Sequence, residues 1–190
     1  MASKGEMTRA KILNAALDLI EKQGFHNTGL QQIIKESGAP KGSLYFHFPE
    51  GKDQIASLAL AEGANVIKVL LEQAFSASQS AQQAIEFMVN GLIIRLKESD
   101  YCKGCPVATV ALEVGDDHPS VRLACESAYQ DWIAVIAQGL RGFGLPAVRA
   151  EKEATVALSM IEGSLILAKV RRDPEPLRQV AQAMADRFKR

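Results

Sequence analysis

Apolar residues recur along this chain at spacings of three and four, and no stretch shows sustained strand alternation with hairpin turn signals, so the pattern predicts helices throughout. Ile12, Leu13, Ala16, Leu19 and Ile20 form one apolar stripe on a helix from Thr8 to Gln23, which Gly24 stops in a left-handed conformation. Thr28 and Gln31 have capping-box spacing, with the hydroxyl satisfying an orphan amide and the glutamine reaching back. The short helix they open turns Leu30, Ile33 and Ile34 inward until Gly38 breaks it. Pro40 can start the next one, because no amide hydrogen is needed there, and Phe48, Pro49 and Gly51 mark its end. Longer helices are predicted from Lys52 to about Phe75, Ala81 to Glu98, Pro106 to Val114, Pro119 to Phe143, Val148 to Arg171 and Glu175 to Phe188. The expected fold is all-α, in one or two domains.

The two short helices meeting across Gly38 carry the sharpest chemistry. In a helix beginning near Pro40, Leu44 and Phe48 lie four apart and face a core, which leaves Lys41, Gly42, Ser43 and Phe46 turned outward. Lys41 can meet a phosphate or a guanine edge, Ser43 can bond to base or phosphate, and Gly42 lets a backbone approach closely. Plainer readings stand beside these. Tyr45 could be a core aromatic with its hydroxyl at the surface, His47 a solvated histidine, and Lys52 merely the first residue of its helix.

The segment Thr28 to Phe48, TGLQQIIKESGAPKGSLYFHF, resembles the helix-turn-helix of the TetR family, and the resemblance is continuous from Arg9 to Lys52. Gly38 takes the place of the turn glycine, Lys41-Gly42-Ser43-Leu44-Tyr45 opens the recognition helix, and Phe48 and Lys52 follow in their expected places; Pro40 stands where a serine is frequent. The resemblance implies a three-helix DNA-binding domain over residues 6–66, with the motif at about 29–48, and a larger helical effector-binding and dimerisation domain over 67–190. It also implies a homodimeric repressor on a pseudo-palindromic operator, two recognition helices roughly 34–36 Å apart, released by a small molecule. Tyr45, His47 and Lys52 resemble the family's phosphate contacts, and the amino terminus at Thr28 would offer a further anion site. The family often has a polar aromatic where this chain has Phe46, which implies apolar contact with a thymine methyl instead.

Two apolar rows run along Val148 to Arg171. One comprises Ala154, Leu158, Ile161, Leu165 and Ala168, the other Val156, Met160, Gly163, Leu167 and Val170. A helix apolar on two sides needs two partners, here its own domain and a second subunit, and the last helix, with Leu177, Val180, Ala181, Met184 and Phe188, is its natural companion in a homodimer. Phe87, Met88, Tyr129, Trp132 and Met160 are candidate effector contacts, with core packing an equal reading for each. Glu113, Glu126 or Glu162 could meet a cationic ligand if buried, against the alternative of a solvated face.

The stretch Asp100 to Thr109, DYCKGCPVAT, resembles one in the LmrA/YxaF-like and electrophile-sensing branches of the same family. Cys105 precedes Pro106 at a predicted helix start, where amide donors and Lys103 would lower a thiol's pKa, so a thiol sensor at Cys105 with Cys102 stands as an alternative to an inert loop. Cys102, Cys105 and His118 lack a fourth ligand for zinc; no metal or cofactor is expected.

Composition narrows the classes. The net charge is zero, which argues against non-specific coating of nucleic acid, although the residues up to Lys52 carry seven basic against five acidic side chains. Three histidines and no phosphate loop, paired metal histidines or nucleophile elbow leave little for an enzyme to use. A dimeric binding or scaffold protein without DNA activity is the remaining alternative. The longest apolar runs, Ser164 to Ala168 and Val107 to Leu112, fall short of the ~20 residues of a membrane span, and no signal core opens the chain, so a cytoplasmic protein is expected.

Overall fold

The computed structural model describes residues 3–188, and among these the regular structure is helical: α1 (Lys4–Gln23), α2 (Leu30–Ser37), α3 (Lys41–His47), α4 (Lys52–Ala77), α5 (Ala81–Glu98), α6 (Pro106–Ala111), α7 (Pro119–Gly142), α8 (Ala147–Arg171) and α9 (Glu175–Phe188). The first helix starts at Lys4, about one turn before the expected Thr8. Ser3 caps it, accepting from the Glu6 amide at 3.2 Å while Glu6 Oε2 accepts from the Ser3 amide at 2.6 Å. Gly24 ends it with φ +86° and an amide bonded to Ile20 O at 2.9 Å; its ψ of 172° is extended, so the stop is not the left-handed one expected.

The chain divides into two compact units. The first comprises residues 1–64 and 106–128, the second 65–105 and 129–190. Segment 106–128 falls with the amino-terminal residues because α6 packs on α1, a long-range contact that no local pattern reveals. In the first unit α2 and α3 also pack on α1, around Ile12, Leu13, Ala16, Ile33, Leu44, Phe48 and Ile55. Burying each large side chain of this set contributes about 1.5–3 kcal/mol, enough to hold two helices of eight and seven residues that could not form alone.

In the second unit α5, α8 and α9 pack on one another, and the core joins Ile85, Val89, Leu96, Ile136, Leu140, Ile161 and Leu165 to Leu177 and Met184 of α9. The α8 row from Ala154 to Ala168 is turned into this core, as its spacing predicts. In the other row Leu167 and Val170 are exposed. The apolar stripe of α9 is used within its own unit. One helix, Lys52–Ala77, is long and apolar enough by length and composition to cross a membrane, although charged residues spaced along it leave no long uninterrupted apolar run. Its Ile55, Ala56, Ala59 and Leu60 are buried within the first unit.

Candidate DNA-binding and effector sites

Gly38 makes the turn between α2 and α3 in a left-handed conformation, φ +62° and ψ 15°, and donates to Lys35 O. Pro40 is the residue before α3 instead of its first residue, and its carbonyl accepts from the Ser43 amide at 2.9 Å. Leu44 and Phe48 are wholly buried, and this fixes which side of α3 faces out. Lys41, Gly42, Tyr45 and Phe46 are exposed, Ser43 and His47 half-buried. Phe46 is 81% exposed, an unusual position for a phenylalanine, and its ring meets His47 edge-on with centroids 5.1 Å apart.

Gly42 is informative for what the fold does not ask of it. Its backbone is helical without positive φ, and a Cβ built there would meet no atom within 4 Å. Glycine in a helix costs up to about 1 kcal/mol relative to alanine, and at this second position of α3 neither a positive φ nor a close neighbour among the described residues calls for it.

Thr28 requires correction. It is fully buried, and its hydroxyl donates to Gly24 O at 2.7 Å, so it neither caps α2 nor presents a side chain to DNA. The cap is Gly29, whose amide donates to Gln32 Oε1 at 3.3 Å, one residue later than the predicted pair. The first amides of α2 itself therefore belong to half-buried Leu30 and exposed Gln31. Lys52 is also partly engaged: its Nζ donates to His26 O at 3.3 Å and sits 4.3 Å above the Phe25 ring. Burial lowers its pKa, opposed by Asp53 and Glu113.

Glu113 does not await a ligand. Its Oε2 accepts from the His26 amide at 2.9 Å, while His26 Nε2 lies 3.0 Å from its carbonyl oxygen. His118 Nδ1 is 2.9 Å from Asp53 Oδ2, tying the turn before α7 to the start of α4 within the same unit. Glu126 pairs with Arg122 at 3.2 Å.

The second unit contains a cavity of about 200 Å³ whose walls come from α4, α5, α7 and α8 and from Gly104 and Cys105. Of the five predicted contacts, Phe87, Met88 and Trp132 line it. Tyr129 instead meets Trp132 edge-on with centroids 5.7 Å apart, and Met160 packs against the hydrophobic core. Glu162 and Cys105 line the same cavity, and the Cys105 thiol hydrogen-bonds to the Glu162 carboxyl, so its neighbour is an acid where the sequence suggested amide donors and Lys103. Burial raises the Glu162 pKa. Cys102 is exposed, and buried Cys125 is pushed up to about 11 by desolvation, which leaves it an inert thiol. Among the described residues, no group of three or more histidine, cysteine, aspartate or glutamate side chains could hold a metal ion.

A short helix held across a glycine turn by two buried anchors, with an outer face of lysine, glycine, serine, tyrosine and phenylalanine, defines a helix-turn-helix DNA-binding regulator. Residues 12–59 match the bacterial regulatory proteins of the tetR family, and residues 81–183 match the LmrA/YxaF-like transcriptional regulator C-terminal domain. The chain belongs to the TetR family of transcriptional regulators, with an LmrA/YxaF-like carboxy-terminal domain, and is not an enzyme. It is 37% identical over 183 residues to the HTH-type transcriptional regulator LmrA of Bacillus subtilis, covering 96% of this chain and 97% of that one. Its fold is shared with a TetR transcriptional regulator from Legionella pneumophila at a TM-score of 0.82, 21% identity and coverage of 100% and 99% of the two chains. It is also shared with the TetR-family regulator CifR, whose crystal structure holds double-strand operator DNA, at a TM-score of 0.79, 21% identity and coverage of 92% and 94%.

Proposed function

We propose that the protein is a homodimeric repressor that binds a pseudo-palindromic operator through residues 6–66 and is released by a small-molecule effector held within residues 67–190. The observation that carries this reading is the outer face of α3, where Lys41, Gly42, Tyr45 and Phe46 are exposed around buried Leu44 and Phe48. Lys41 and Ser43 serve base or phosphate, Gly42 admits close approach, Phe46 meets a thymine methyl, and Tyr45, His47 and Lys52 contact phosphate. The LmrA/YxaF-like match and the operator complex of CifR support the same reading. One recognition helix reads a half-site, so specificity calls for two copies, and exposed Leu167 and Val170 of α8 supply the apolar face for a partner subunit.

Effector control follows from linkage. A ligand in the apolar cavity lowers DNA affinity only as far as it prefers the DNA-free state. The experiment is a variant carrying Lys41→Ala, Ser43→Ala and Tyr45→Ala, tested on duplexes that the wild-type protein enriches from a random-sequence library. It is expected to remain folded and dimeric while losing those duplexes, and wild-type binding should fall steeply with salt. Undiminished binding by the triple variant would refute the reading.

A further inference from the structure

The cavity of the second unit is almost wholly apolar, and Glu162 of α8 is the acidic side chain in its wall. Its Oε2 is buried and has no hydrogen-bond partner among the described residues, while the Cys105 thiol bonds to the same carboxyl. Glu113 and Glu126 are satisfied by His26 and Arg122. A buried acceptor left unmade destabilises the protein that holds it, more so when the group can carry charge, and the natural complement is a donor that arrives with the ligand. Arg95 also borders the cavity but is an exposed residue.

We propose that the effector is a compact, largely apolar molecule bearing one protonated amine, and that it binds with the amine on the Glu162 carboxylate. The inference rests on the reading of this cavity as the effector site. The apolar walls select a hydrocarbon body, and the low-polarity surroundings strengthen a charge-assisted hydrogen bond to the one acid. An ammonium paired with it offsets part of the cost of holding a carboxylate away from water. Cys105 acts here as a positioning residue: its hydrogen bond holds the carboxyl while Oε2 remains without a protein donor.

The chain has a single tryptophan, Trp132, and it lines this cavity, so its fluorescence reports occupancy directly. Three probes of one shape, adamantylmethylamine, adamantylmethanol and adamantanecarboxylate, are titrated into the full-length protein and into Glu162→Gln. The amine is expected to bind wild type at least about tenfold tighter than the alcohol, with the carboxylate weakest. Glu162→Gln should remove that preference, so that amine and alcohol bind alike. Equal binding of amine and alcohol by wild type, a comparison that needs no variant, overturns the proposal while keeping the cavity as a binding site, as does an amine preference that survives in Glu162→Gln. Failure of all three probes to bind wild type overturns the cavity reading itself.

Discussion

Gly42 and Leu44 sit two residues apart on α3 and answer to different demands. Leu44 is wholly buried and serves the fold; truncating it would cost about 2–5 kcal/mol. Among the described residues, no atom lies within 4 Å of a Cβ placed on Gly42. Gly42→Ala should therefore stabilise the free protein by about 0.5–1 kcal/mol in urea unfolding, since alanine is the better helix former. The same change should weaken operator binding in a fluorescence-anisotropy titration, because a methyl group would stand where DNA approaches. A variant both more stable and equally tight on DNA would remove Gly42 from the interface. Thr28 shows the reverse case. Its type and spacing suited a cap, but a hydroxyl can also bond back to a carbonyl four residues earlier, and only the path of the chain after Gly24 decides between the two.

Between elements, one tight contact of the first unit joins Glu113, in the turn after α6, to Gly24 at the end of α1. A Cβ on Gly24 would lie 1.9 Å from Glu113 Oε1, and its φ of +86° is strained for any other residue. Gly24→Ala should destabilise the protein by about 1–3 kcal/mol in thermal unfolding. Placed on a Glu113→Ala background the steric part disappears, so the two costs should fall short of additive; strict additivity would show that this contact is not coupled. The helices themselves were legible in advance, since their stripes, breaks and most boundaries depend on residues within a turn or two. The α1 start at Lys4 is not legible in the apolar pattern because its Ser3 cap lies outside the stripe, nor is the grouping of 106–128 with the amino terminus, because nothing local marks it.

For the whole molecule, the open question is the partner surface. Leu167 and Val170 are 50% and 78% exposed on the side of α8 opposite its core row, and in water such a pair calls for cover. Replacing both with glutamate should shift the protein to monomer in sedimentation velocity while its helical circular dichroism is kept. Operator affinity should then fall by at least about tenfold, because the two half-sites are no longer read together. A double variant that stays dimeric would place the interface elsewhere.

By itself the sequence determined the helices, the turn at Gly38, the outward placement of Lys41, Gly42 and Phe46 on α3 and the two-sided character of α8, because helical periodicity and turn chemistry act over short distances; Ser43, expected to face out, is half-buried, and Tyr45 is exposed in its stead. It also carried the TetR resemblance. Only the tertiary structure decided that Thr28 is buried, that Lys52 is tied to His26, that Tyr129 and Met160 do not line the cavity, and that Glu162 and Cys105 meet there. Burial and the pairing of polar groups depend on neighbours far apart in the chain, and whether a glutamate is solvated, paired or alone cannot be known until those neighbours are in place.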